Sequence, residues 1–355
     1  MKIKVKVKNK AFDGSECNMA GWDLKKGELQ LVPIHDDQLW ARFNFVFSDA
    51  SAKRNSYKFG LIKSILDNLL NCTIEDDKFV LFYHDIFAKF TESYWNLVLK
   101  YHLRQMRPDG KSQYSKIEQI LRQAQIGFKI PEQIPFDSLN ATLQETIIAQ
   151  VQRECRKYVI GALYSDLEGI VYGFDKKEKY LVLHPTAYQL LMKYKMELER
   201  LNYYAWAKFL ETVNDDSLLV RLLNKLELAS PQRKNLDIYR QVLYQEFGAH
   251  YCFYCGKKLT GISHVDHFIP WSFVKEDKLW NFVLSCPSCN NGKSNKLPAQ
   301  AFVEVMEERN SHVVLRSDFS RNQFASYRQG LISHLWQYAH NAGFQVYKTD
   351  LDLRT

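Results

Sequence analysis

Four of the seven cysteines form two tight pairs in the last third of the chain. Cys252 and Cys255 are separated by two residues, 30 residues follow, and Cys286 and Cys289 repeat the same spacing. Each pair closes a tight turn that directs two thiolates at one point, and four thiolates complete the tetrahedral coordination of Zn²⁺ without leaving an open position. A redox dithiol would explain one pair but not two. The spacing therefore predicts a structural zinc ion.

A second set of polar residues accompanies the cysteine pairs. The segment HVDHFIP occupies residues 264–270, Asn281 precedes an apolar run, and NNGK at residues 290–293 follows the last cysteine. Together with the cysteines, the D-H-x-x-P segment, the central Asn and the N-x-G-K tail resemble the HNH, or ββα-metal, endonuclease family in its zinc-containing version. The resemblance covers about residues 251–298, and it does not extend to the region before about residue 235.

The resemblance implies metal-dependent hydrolysis of phosphodiester bonds. In this family pattern His267 matches the general base, because imidazole titrates near neutral pH and can deprotonate water. Asp266 and Asn290 match the protein ligands of the catalytic metal, and their hard oxygen atoms suit Mg²⁺ or Mn²⁺. Asn281 matches the middle Asn of the family, which holds the loop between the strands and so orients the histidine.

Two further polar residues have open roles. His264 could contact the substrate phosphate or the leaving group, or it could be a surface histidine. Lys293 could contact phosphate, or it could be a solvated helix residue. We expect Trp271, Trp280 and Phe282 to pack inside the finger rather than to stack on bases.

The spacing of apolar residues predicts that the elements around this site are mainly helical. Predicted helices occupy residues 56–70, 79–106, 141–158, 185–214, 216–228, 236–247, 299–310 and 323–341. Residues 169–174 and 179–184 flank a polar turn and predict a small β-hairpin. The alternation of Lys with Ile and Val in residues 2–8 predicts a further strand.

We therefore expect a mainly helical α+β fold. Residues 1–235 would form a helical N-terminal domain with a small β-hairpin, serving DNA recognition or regulation. Residues 236–298 would form the zinc-stapled ββα-metal nuclease domain, and residues 299–355 a C-terminal helical extension. The polar segment ASPQRKN at residues 229–235 is the best linker candidate.

The composition is that of an ordinary globular protein. The 355 residues are 46% hydrophobic and 25% charged, and no apolar run approaches the ~20 residues of a membrane helix. An odd number of cysteines and the absence of a signal peptide pattern predict a cytoplasmic protein without disulfides or membrane contact.

The charge balance favours a polyanionic partner without proving one. The net charge is +8. The densest group of basic residues contains Lys100, His102, Arg104, Arg107, Lys111 and Lys116. This basic window could contact the backbone of a nucleic acid, or it could be a solvated helix end and loop.

These observations predict a metal-dependent endonuclease whose partner is DNA, double-stranded by preference. Only one Asp-His set is visible, so a monomer would nick duplex DNA, while a homodimer could cut both strands. A restriction or anti-phage defence effector, with a possible partner protein of that system, fits the resemblance. The alternatives are a mobile-element endonuclease, an RNase and, from a different class, a zinc-stapled nucleic-acid-binding protein without activity.

Overall fold

The computed structural model describes residues 23–30, 33–75, 78–108, 110, 112–230 and 235–348. The chain divides into two compact units, Met1–Gln232 and Arg233–Thr355. The boundary between them lies inside the 229–235 segment, and residues 236–298 and 299–355 belong to the same unit. The strand predicted at residues 2–8 lies outside the described residues. The functions assigned to the domains stay predictions.

The first unit is mainly helical. Its helices are α1 (Asp36–Phe47), α2 (Tyr57–Asp67), α3 (Tyr83–Trp95), α4 (Lys116–Gly127), α5 (Ala141–Asp166), α6 (Pro185–Lys193), α7 (Lys195–Glu211), α8 (Asp216–Leu219) and α9 (Leu222–Ala229). Its strands are β1 (Lys26–Gly27), β2 (Thr73–Glu75), β3 (Lys78–Phe82), β4 (Tyr172–Asp175) and β5 (Tyr180–Leu183). A π-helical turn at Asn96–Lys100 continues α3.

The strands of the first unit form one antiparallel sheet in the order β1-β4-β5-β3-β2. The predicted hairpin is confirmed, since β4 and β5 pair with Gly173 opposite Val182. The sheet is larger than predicted because β3 pairs along the other edge of β5, with Val80 opposite Val182. The prediction of helix from residue 79 is therefore wrong for residues 79–82, whose continuous apolar run suits a strand paired on both sides.

Aromatic packing joins α2 and α3 in the core of this unit. Phe90 stacks on Tyr94 with 4.2 Å between the ring centroids, and both rings are completely buried. Gly60 of α2 faces these rings so closely that a Cβ atom there would lie 2.4 Å from the Tyr94 ring. The aromatic rings of α3 therefore belong to the core of the first unit.

Several predicted helix boundaries in the first unit are wrong. Residues 185–214 form two helices, because Tyr194 between α6 and α7 leaves the helical region with φ −106° and ψ 20°. Arg221 adopts φ 54° and separates α8 from α9. The helix predicted at residues 141–158 extends as α5 to Asp166.

The second unit contains a β-hairpin followed by a short helix. Its elements are α10 (Asp237–Phe247), β6 (His264–His267), α11 (Trp271–Val274), β7 (Phe282–Ser285), α12 (Pro287–Lys293), α13 (Ala301–His312), α14 (Asp318–Phe324) and α15 (Leu331–Asn341). The helix predicted at residues 323–341 is wrong for residues 325–330, because Gly330 turns the chain with φ 81° before α15 begins.

The hairpin of the second unit is antiparallel and packs on α10. Val265 lies opposite Leu284 and His267 lies opposite Phe282. Leu243 of α10 forms a buried cluster with Leu279, Phe282 and Leu284. The predicted fold class, a mainly helical α+β protein, is confirmed. Among the described residues, no helix combines the length and the apolar composition needed to cross a bilayer.

Candidate active site

The four cysteines converge in the second unit. Their sulfur atoms all lie within 4.8 Å of one another, and Sγ of Cys255 is 3.8 Å from Sγ of Cys286. Zn–S bonds of about 2.3 Å place the sulfurs of a tetrahedral site about 3.8 Å apart, so this arrangement fits a zinc ion. The cluster supports the predicted structural zinc, which would join the two cysteine pairs.

A backbone hydrogen bond positions the first cysteine pair, and the start of α12 positions the second. In the first pair the N–H of Gly256 donates to the carbonyl of Cys252 over 2.9 Å, and Gly256 adopts φ 68°, which suits a residue without Cβ. In the second pair Cys286 is the N-cap of α12. Partial burial opposes ionisation of its thiol, but hydrogen bonds from the Cys289 backbone and the neighbouring thiols lower the pKa of Cys286 to about 7.

Asp266 lies on β6 and is held by two buried side chains. Its Oδ2 accepts a hydrogen bond of 2.6 Å from the hydroxyl of Tyr254 and lies 3.0 Å from Nζ of Lys293. The exposed fraction of Asp266 is 8%. Both contacts fall on the same oxygen atom, so the Oδ1 atom of this carboxylate is available as a ligand of a cation.

His267 is the last residue of β6, and its imidazole contacts a carboxylate that sequence reasoning missed. Nε2 of His267 lies 2.9 Å from Oδ1 of Asp277, and the ring packs edge-on against Phe282 with 4.7 Å between centroids. The exposed fraction of His267 is 8%. Asp277 lies in the polar segment KEDK between the two halves of the motif. The composition of this segment does not mark Asp277 as functional; only the position of the folded loop beside His267 does.

Hydrogen bonds of Asn281 hold the backbone just after His267. Its Nδ2 donates to the carbonyl of Ile269 over 2.9 Å, and its Oδ1 accepts from the N–H of Ile269 over 2.8 Å. Its own carbonyl accepts from the N–H of Phe268 over 2.7 Å. Asn281 is completely buried. These bonds support the predicted structural role of Asn281, because they fix the backbone that carries the histidine.

Asn290 and Lys293 lie one turn apart on α12. Residues three apart share a helix face, so the face that carries Lys293 to Asp266 also carries Asn290. Asn290 is partly exposed, as a metal ligand open to substrate must be. Its role as a metal ligand stays a prediction.

Lys293 occupies a position that neither of its two predicted roles describes. Its side chain is completely buried, and Nζ donates to the carbonyl of His267 over 2.7 Å in addition to its contact with Asp266. A buried ammonium group between these two residues is not a solvated helix residue, and this conformation does not present it to a phosphate. It links the strand residue Asp266 and the backbone of His267 to α12.

The remaining predicted residues lie around this centre. His264 is partly exposed on β6 and, by strand alternation, on the same face as Asp266. Trp280 and Phe282 are completely buried, in agreement with the prediction that they pack the finger, while Trp271 is partly exposed.

Helix α13 supports the same loop from outside the motif. Nη1 of Arg309 donates to the carbonyl of Phe282 over 2.7 Å, and Nδ2 of Asn310 donates to the carbonyl of Trp280 over 2.8 Å. These two carbonyls flank Asn281, which in turn holds Ile269. Sequence reasoning missed both residues, because their partners lie about 30 positions away and no local pattern marks them.

A comparison with protein families matches residues 252–296 to HNH endonuclease. Comparisons with curated proteins and with solved structures gave no match. Residues 252–296 thus form an HNH endonuclease domain, and the resemblance predicted from the motifs is confirmed. The family implies an enzyme that hydrolyses phosphodiester bonds.

Proposed function

We propose that the protein is a metal-dependent DNA endonuclease whose active site is formed by β6, β7 and α12. The observation that carries this proposal is the 2.9 Å contact between the imidazole of His267 and the carboxylate of Asp277. Both residues lie in the segment that matches the HNH family, and the contact orients the histidine that the motif predicts as the general base.

The contact with Asp277 assigns separate tasks to the two ring nitrogens of His267. A carboxylate bonded to Nε2 favours the tautomer in which Nε2 carries the proton. Nδ1 is then the unprotonated nitrogen that accepts the proton of the attacking water. After attack on phosphorus, the imidazolium is stabilised by the adjacent carboxylate of Asp277.

Asp266 and Asn290 would hold the catalytic cation. A carboxylate oxygen and an amide oxygen suit Mg²⁺ or Mn²⁺, which keeps its other positions for water and phosphate oxygens. Such a cation neutralises charge on the phosphate and stabilises the leaving oxygen when it is bound. Tyr254 and Lys293 orient Asp266 by holding its Oδ2.

DNA is the substrate that the HNH resemblance and the net charge of +8 favour. The single Asp-His set favours nicking of duplex DNA. A cytoplasmic restriction or anti-phage defence effector, acting with or without a partner protein, agrees with a nuclease domain that shares its chain with a large helical unit.

The proposal is tested by incubating the full chain with supercoiled plasmid and, separately, with single-stranded RNA of similar length. Each reaction contains Mg²⁺, Mn²⁺ or no added divalent metal. We expect cleavage of the plasmid only with Mg²⁺ or Mn²⁺, and intact RNA. An intact plasmid under every condition, with zinc still bound to the protein, would contradict the proposal, and selective loss of the RNA would make the enzyme an RNase.

A further inference from the structure

The connection between the π-helical turn and α4 in the first unit carries a row of basic side chains that the nuclease site does not use. Four of them are at least partly exposed: Lys100, Arg104, Arg107 and Lys116. We call these four residues the basic ridge. Lys111 of the basic window predicted from the sequence, and the acidic Asp109, lie outside the described residues.

The side chain of Asn214 holds the backbone of Arg104 in the basic ridge. Oδ1 of Asn214 accepts from the N–H of Arg104 over 2.7 Å, and its Nδ2 donates to the carbonyl of Arg104 over 3.0 Å. Leu103 and Gln105 are completely buried, so Arg104 between them is directed outward. The backbone at Arg104 is therefore fixed before any partner binds.

Two guanidinium groups at this surface lie over the ring of Tyr114. The guanidinium carbons of Arg104 and Arg122 lie 6.0 Å and 4.5 Å from the ring centroid of Tyr114. A guanidinium held over an aromatic ring can still donate its N–H groups to a partner, and their geometry matches the oxygens of a phosphate. Less side-chain freedom is then lost when a phosphate binds.

The net charge of the ridge depends on the carboxylates that lie beside it. None of its four cations forms an ion pair with a described residue. The neighbouring Glu118 is buried and binds the N–H of Ser115 at the start of α4. Glu132 lies 3.9 Å from His102, next to the ridge but not paired with it. A partner with repeated negative charge would supply the missing counter-charges.

We propose that the basic ridge is a second nucleic-acid contact, which binds the phosphate backbone of duplex DNA without reading its sequence. The choice of DNA as the polyanion rests on the proposed function. The positive charge, the fixed backbone at Arg104 and the guanidinium contacts with Tyr114 are independent of the nuclease site.

The test compares two triple variants of the full chain, both in a His267→Ala background so that binding is measured without cleavage. The ridge variant is Lys100→Ala/Arg107→Ala/Lys116→Ala. The matched control is Lys177→Ala/Lys179→Ala/Lys208→Ala, which removes three exposed cations elsewhere on the same unit. The probe is a 30-base-pair duplex of arbitrary sequence, titrated at several salt concentrations without Mg²⁺.

Each lost phosphate contact reduces the magnitude of the slope of log K against log[salt] by about 0.9. The ridge variant should therefore reduce this magnitude by about 2 to 3, and the control by less than 1. Equal slopes for the two variants, or no binding by the parent, would overturn the proposal. The single variant Lys116→Glu, at an exposed position, should weaken binding in the same direction if the triple variant fails to fold. The ridge variant could change the salt slope as expected while the wild-type chain cleaves no plasmid. That result would reject the nuclease proposal and leave the basic-ridge proposal standing.

Discussion

His267 and Asp277 form the contact on which the proposed chemistry depends. A histidine alone on a strand end has two equivalent tautomers and a mobile ring. Here the carboxylate fixes Nε2 at 2.9 Å, and Phe282 restrains the ring from one side. The proposed base is thus oriented before substrate arrives, which removes a cost from the chemical step.

Replacing Asp277 by Asn should lower kcat about 10- to 100-fold while KM changes little. The amide has nearly the shape of the carboxylate, but it can donate to Nε2 and so place the proton on Nδ1, where the base is needed. The measurement is steady-state plasmid cleavage under excess Mg²⁺. Glu304→Gln, which neutralises an exposed carboxylate of the same unit, serves as the control. Equal activity of the two variants would contradict a role for Asp277 in catalysis.

The sequence predicts the residues of this site only where their spacing is local. Asp266, His267, Asn281 and the cysteines belong to a pattern that fits within 50 positions of the chain. Asp277 lies in the same stretch, but its role depends on how the loop folds back to the strand end. The burial of Lys293 could not be predicted either, because the elements that pack against a helix decide which of its faces is buried.

At the level of elements, α13 acts as a clamp on the loop that carries Asn281. Arg309 and Asn310 bind the carbonyls on either side of Asn281, and Asn281 holds the backbone after His267. The segment predicted as a C-terminal extension therefore contributes directly to the order of the candidate active site.

Replacing Asn310 by Ala should lower the free energy of unfolding by about 1–3 kcal/mol, because the carbonyl of Trp280 loses the shorter of its two hydrogen bonds and the guanidinium of Arg309 loses the Oδ1 of Asn310 as its acceptor. Cleavage should fall as well, since the lost bond adjoins Asn281. Urea unfolding and plasmid cleavage are measured on the same preparation. Asn341→Ala, at an exposed position of α15, should change stability by less than about 0.5 kcal/mol. Identical behaviour of the two variants would count against the clamp.

The zinc site is the second link between elements, because it would tie the turn at residues 252–255 to the start of α12. Elemental analysis of dialysed protein should find about one zinc per chain. Cys252→Ser should lose most of the zinc and destabilise the finger, whose short strands bury little surface without the ion. Cys155→Ser, which alters a buried cysteine of the first unit, should retain the zinc. A stable, active protein free of zinc would refute the site.

Element boundaries could be predicted less well than element types. The periodicity of residues 79–106 indicates a helix, yet residues 79–82 pair with β5 because a sheet edge was available beside them. Strands β1 and β2 are too short to show a pattern, and the breaks at Tyr194 and Arg221 depend on packing. Tertiary context decided each of these positions.

At the level of the whole molecule, the single Asp-His set of the proposed active site limits what one binding event could do. A single site attacks one phosphodiester, so a monomer should convert supercoiled plasmid to open circles before linear DNA appears. A time course on agarose gels, with sedimentation at the same protein concentration, measures this. Linear DNA without an open-circle intermediate, at concentrations where only monomer sediments, would exclude the nickase.

The proposed role of His267 as the general base is tested by comparing plasmid cleavage by His267→Ala and by the wild type in Mg²⁺. Zinc content and circular dichroism of both proteins are measured on the same samples. Because His267 is the proposed base and not a zinc ligand, the variant should keep its zinc and its fold and lose cleavage by at least about 100-fold. A variant that cleaves at a near-normal rate would contradict the assignment of His267 as the base.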